Sequence, residues 1–161
     1  MLVARPARIG SWSFVIEDDA DRAVAEVDLK TLTDAGALRL GDVPFAFSKA
    51  GWLSKRFALT FEGVEVATAE RSGWLGFTYD VQIRPGLLGT PEAVRLRLEA
   101  SLGQRRIRVR LGDREVGEIR RRGVFTRRAE IEVSDALPLG VQAFLLALVL
   151  VEWRRAARSS A

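Results

Sequence analysis

Hydrophobic and polar residues alternate with a period of two through most of this chain, and the pattern changes near its C-terminus. The clearest alternation is AVRLRLEASLGQRRIRVRLGDREVGEI. There Val94, Leu96 and Leu98 alternate with Arg95, Arg97 and Glu99, and Ile107, Val109 and Leu111 alternate with Arg106, Arg108 and Arg110. Such alternation sets one face of a strand on a core and the other in water. A turn at Ser101-Leu102-Gly103-Gln104 predicts a hairpin that pairs Leu98 with Ile107, Leu96 with Val109 and Val94 with Leu111. Similar runs fall at about 12–17, 23–30, 37–40, 44–48, 56–61, 64–71, 74–83, 115–121 and 124–133. Turn residues separate them at Asp18-Asp19, Gly41-Asp42, Glu62-Gly63, Pro85-Gly86 and Gly112-Asp113. About a dozen short strands at this spacing, over about 9–133, predict a barrel or sandwich.

The strand pattern also repeats. RFALTFEGVEVATAERSGWLGFTYDVQI (56–83) and RIRVRLGDREVGEIRRRGVFTRRAEIEV (106–133) share Arg56/Arg106, Glu65/Glu115, Val66/Val116, Arg71/Arg121 and Gly73/Gly123, with apolar positions matching between them. A fainter third copy aligns Val24-Ala25-Glu26-Val27 with Val66-Ala67-Thr68-Ala69. Shared turn spacing favours a structural repeat over coincidence of two β patterns.

From Val141 to Val151 only Gln142 is polar, so no solvent-facing stripe exists and the segment is a helix apolar on every side. Pro138 suits its first turn, with Ser134 or Asp135 as cap. A bilayer span needs about 20 apolar residues, whereas the uninterrupted run from Ala143 to Val151 stops at Glu152. The shortfall predicts a core helix over about 138–156, enclosed by strands that close around it; a membrane tail anchor is the alternative. The basic end at Arg154, Arg155 and Arg158 suits either reading.

Composition narrows the chemistry. The chain holds neither cysteine nor histidine. That excludes disulfides, thiolate sites and the commonest general base and metal ligand. The opening MLVARPARIGSWSF lacks the apolar run of a secretory signal, so a cytoplasmic location is the expectation. Charge is uneven: residues 1–80 hold 9 Lys/Arg and 12 Asp/Glu, residues 81–161 hold 16 and 9. An anionic partner would account for this asymmetry, and so would an arginine-rich composition.

The segment LGDREVGEIRRRGVFTRRAEIEVSDALPLGVQAFLLALVLVEW (111–153) runs from a turn glycine through a basic strand and an aromatic-bearing strand into the hydrophobic helix. WLSKRFALTFEGVEVATAERSGWLGFTYDV (52–81) repeats its strand part. Together they resemble the tubby C-terminal-like superfamily, most of all its LURP-one-related and phospholipid-scramblase-like branches. The resemblance implies a mainly β fold, a closed antiparallel barrel of about twelve strands wrapped around a buried C-terminal α-helix. It also implies affinity for phosphoinositides or other membrane lipids, peripheral at the membrane. No phosphoinositide-binding motif of tubby proteins maps onto this chain residue by residue. The acidic stretch before the helix in scramblase-like members is reduced here to Asp135, so neither calcium binding nor lipid scrambling carries over.

The candidate anion or lipid site is the arginine face of the 95–110 hairpin: Arg95, Arg97, Arg106, Arg108 and Arg110. In the predicted register Arg97 lies opposite Arg108 and Arg95 opposite Arg110. Like charges facing across strands destabilise, which an anion gripped by guanidinium groups would relieve. A solvated network with Glu99, Glu115 and Glu118 would relieve it too. Arg120, Arg121, Arg122, Arg127 and Arg128 form a second cluster. An anionic phospholipid surface or an acidic protein fits these clusters as partner. Nucleic acid fits less well, because only Phe125 interleaves with them for stacking. The acidic run at 17–21 lacks the ligand spacing of a calcium loop and predicts a polar turn. Trp12, Trp52, Trp74 and Trp153 are expected in the core or at the barrel rim. Tyr79 with Ser72 or Thr78 makes no nucleophile–base set, and no cofactor or metal site is expected. The functional expectation is therefore a non-enzymatic binding module.

Overall fold

The alternating runs fold as twelve strands: β1 (Leu2–Pro6), β2 (Ser13–Glu17), β3 (Ala23–Leu29), β4 (Gly36–Leu40), β5 (Val43–Lys49), β6 (Arg56–Phe61), β7 (Val64–Ser72), β8 (Phe77–Ile83), β9 (Val94–Ala100), β10 (Arg106–Leu111), β11 (Arg114–Arg122) and β12 (Arg128–Val133). A single helix, α1 (Leu139–Ser159), follows them. Each strand pairs antiparallel with its chain neighbour, and β12 pairs with β1 to close the barrel. This computed structural model describes residues 1–8, 10–30, 33, 35–50, 55–72, 77–100, 106–122, 128–133 and 137–159. The predicted hairpin turn at 101–104, the cap at Ser134 or Asp135, Trp52, Trp74, Phe125, Arg127 and the Gly73/Gly123 match lie outside them.

The fold confirms the closed β-barrel and corrects three details. The first strand begins at Leu2 rather than near residue 9, while residues 124–127 of the expected last strand lie outside the described residues. The helix runs to Ser159 instead of about 156. The β9–β10 hairpin is also two residues out of the predicted register. Leu98 faces Val109, Arg97 faces Arg110 and Arg108 faces Glu99. A slip of two leaves every side chain on its predicted face, so the alternation could not distinguish the two registers.

The repeat is deeper than its sequence trace. Ile16 of β2, Leu59 of β6 and Val109 of β10 face Ala25, Ala67 and Gly117, with a register break immediately after each. Those three partners face Leu40, Ile83 and Val133. Onward, Leu38, Val81 and Ile131 face Phe45, Leu96 and Leu2. Finally Phe47, Leu98 and Ala4 face Leu59, Val109 and Ile16. The barrel is therefore three four-stranded units in one register: β2–β5, β6–β9, and β10–β12 completed by β1. Each bulge leaves one valine without a partner residue, Val24, Val66 or Val116, which are the positions that aligned in sequence. At the third bulge a glycine is required. A Cβ on Gly117 would sit 2.4 Å from the Glu132 carbonyl oxygen.

The helix lies inside this wall. Every residue from Ala143 to Val151 is at most 1% exposed, in one apolar cluster with inward residues of all three units. Phe144 meets Phe47 at a ring separation of 6.0 Å, and Phe47 stacks on Phe57 at 5.3 Å. The barrel has a lower end, where α1 begins beside the β8–β9 loop. There Leu88 is buried, and a Cβ on Gly140 would meet the Leu88 backbone at 2.8 Å. Its upper end is where α1 leaves. Among the described residues no helix is long and apolar enough to cross a membrane, and the tail-anchor alternative loses its lipophilic surface to the strands.

Candidate functional site

The outer face of β8–β12 holds most of the predicted arginines, because the odd–even alternation that buries Leu96, Leu98, Ile107 and Val109 turns their neighbours outward. Many are neutralised by carboxylates. Arg97 Nε donates to Asp80 Oδ1 at 2.9 Å, which raises the guanidinium pKa further above its ordinary value. Arg110 lies 3.7 Å from Glu99 and donates to the Asp113 carbonyl at 2.8 Å. Arg120 pairs with Glu118 and approaches Glu132 at 3.9 Å. Arg122 and Arg128 flank Glu130 at 2.7 and 3.5 Å. The ion-network reading thus describes these five.

Arg95, Arg106 and Arg108 differ. They are exposed, and none has a side-chain partner among the described residues. Arg95 lines two shallow grooves, of about 360 and 460 Å³, that both also take in Asp80 and Gln82. The first mixes charges, with Arg56 and Arg84 set among Glu65, Glu70 and Asp80. Arg108 faces Glu99 on one side and Glu118 on the other without an ion pair to either. The acidic run forms a closed turn: Asp18 accepts from the Ala20 and Arg22 amides at 2.9 and 3.1 Å and from the Arg22 guanidinium at 2.7 Å. The Arg22 hydrogen bonds hold the Asp18 pKa below its ordinary value.

Arg121 belongs to a different place. It is an inward position at the top of β11, and its guanidinium lies 5.7 Å from the Trp153 ring centroid, within cation–π range. Its counterparts in the other two units are Arg71 and Leu29. Three consecutive helix residues meet the three units here. Glu152, 6% exposed, accepts a hydrogen bond from Tyr79 Oη and lies 3.8 Å from Arg71 and 3.2 Å from Arg155. Trp153 meets Arg121 of the third unit. Arg154, fully buried, donates to the Lys30 carbonyl and, at 2.5 Å, to the Thr33 carbonyl of the first. Successive helix residues point about 100° apart, close to the 120° between units of a threefold ring.

The sequence reading missed this polar ring. In the sequence Glu152 stands only as the stop of the apolar run and Arg154 as part of a basic helix end. The available signal was Tyr79, in phase with the inward Val81 and Ile83, where a buried hydroxyl needs a partner; burial and the Glu152 carboxylate raise its pKa. The ring anchors the helix.

No family model, curated protein or solved structure matches this chain.

Proposed function

We propose that the protein is a non-enzymatic module that binds anionic phospholipid head groups through arginines of the 93–128 surface. The observation that carries this reading is the contrast on one outer face. Arg95, Arg106 and Arg108 stand exposed without side-chain partners among the described residues, while their neighbours are saturated with carboxylates. Guanidinium groups left in water retain their donors for phosphate oxygens. The resemblance to the tubby-like superfamily points to the same ligand class.

The test is sedimentation with vesicles of neutral lipid, with and without phosphatidylserine or a phosphoinositide, over a range of salt. The expected result is binding only to the anionic vesicles, weakening as the Debye length shrinks. Equal binding to neutral vesicles, or none at low salt, refutes the proposal. Capture of one acidic protein with vesicles ignored would assign the arginines to a protein-interaction role.

A further inference from the structure

The twelve-stranded topology sorts the charges of the chain by end. At the upper end the described connecting residues, with the strand residues bordering them, carry eight Lys or Arg and no Asp or Glu. Arg8, Lys30, Lys49, Lys55, Arg106 and Arg128 are among them, drawn from all three units. At the lower end the same positions carry eight Asp or Glu and three Lys or Arg. Asp18, Asp19, Asp21, Asp42, Glu62 and Asp113 belong to that acidic rim. All three lysines of the chain stand at the upper end. The exposed Arg158 adds to it at the close of α1.

Net charge hides this polarity. Strands of about six or seven residues at about 3.3 Å each, tilted about 40° as barrel strands are, separate the rims by about 16 Å. That is about twice the Debye length of about 8 Å at physiological ionic strength. A surface touching one rim is therefore screened from the other and meets that rim's charge alone. Four upper cations, Arg8, Lys30, Lys55 and Arg106, are exposed without side-chain partners among the described residues, so their charge is not spent internally.

We infer that the barrel docks end-on, with the upper rim and the C-terminus of α1 against an anionic bilayer and the acidic lower rim turned away. This rests on the lipid-binding reading and changes its geometry. Of the 93–128 arginines, Arg106 touches the bilayer, together with residues outside that segment, whereas Arg95 and Arg97 face sideways. The flatness of a bilayer suits it as occupant, because the unpartnered cations are spread over four of the six upper connections instead of converging in a groove.

The experiment uses phosphatidylcholine vesicles containing phosphatidylserine and two triple variants of the full chain. The rim variant is Lys30→Gln, Lys55→Gln and Arg106→Gln; the flank variant is Arg95→Gln, Arg97→Gln and Arg110→Gln. A basic residue near an anionic surface contributes about fivefold in affinity, so the rim variant should lose about a hundredfold and the flank variant less than tenfold. Since the chain has no cysteine, single nitroxide labels at Arg8→Cys and Asp42→Cys report orientation. The label at position 8 should lose accessibility to an aqueous relaxant on vesicles, and the label at position 42 should not. Loss confined to the flank variant, or shielding at position 42, overturns the end-on geometry while leaving lipid binding intact. Wild-type protein that ignores the vesicles overturns both, and binding to an acidic protein alone does the same.

Discussion

The two ends of the helix are held by different physics. From Val141 to Val151 the contacts are apolar side chains against apolar strands, and their energy depends on area and fit. A wall of three units in one register offers such a surface similar shapes at several rotations. At Glu152, Trp153 and Arg154 the three units differ: Tyr79 and Arg71 in one, Arg121 in the next, the Lys30 and Thr33 carbonyls in the last. Only one rotation satisfies all three. Burial thus supplies stability and the polar ring supplies orientation, at the expense of buried charge.

The largest effect expected from breaking this contrast lies on the apolar side. Phe144→Ala removes a fully buried ring and should lower the unfolding free energy by about 3–5 kcal/mol, read from urea denaturation. Glu152→Ala should be smaller, about 2–3 kcal/mol, because Arg71 and Arg155 are partly solvated and what the variant removes is the buried hydrogen bond from Tyr79. Its distinguishing sign is heterogeneity. Amide resonances near α1 should broaden or double as the helix samples other rotations, which Phe144→Ala should not cause.

The single tyrosine gives a cleaner measurement. Burial, then the Glu152 charge and hydrogen bond, raises the Tyr79 pKa above its ordinary value of 10.0. The folded protein should show no phenolate absorbance as pH passes 10, and the urea-unfolded chain should show it near 10. Because the folded pKa is the higher one, the stability held by the neutral phenol is intact below about pH 10 and is lost above it. The smallest effect belongs to the outer face. Arg97→Gln breaks an exposed pair with Asp80 and should leave the urea midpoint unchanged.

Much of this architecture is legible in the residues. Most strands declare themselves by alternation, and α1 by having no polar side. Val66, Val116 and Val24 aligned as a repeat, and the structure places each at a bulge. β1 is hidden because Leu2, Val3 and Ala4 are all buried, so Leu2–Pro6 carries no period of two. The hairpin register is hidden because alternation fixes pairing only to within two residues. The polar ring is hidden because a charged residue after an apolar run ordinarily marks the helix leaving the core, whereas Arg154 turns back to carbonyls far away in sequence. The opposed rims emerge only when the closed topology assigns each turn to an end. At the candidate site, alternation correctly turned Arg95, Arg97, Arg106 and Arg108 outward, but which of them are neutralised depends on cross-strand carboxylates that the misread register moved.

The central claim is that α1 is the enclosed core of the barrel, and native-state hydrogen exchange tests it most directly. Amides of residues 143–151 should be the slowest in the molecule, exchanging only through global unfolding with a free energy equal to that from urea. Exchange of those amides well below the global value, while the strand amides stay protected, would mean that the helix leaves the barrel without unfolding it and would contradict the account.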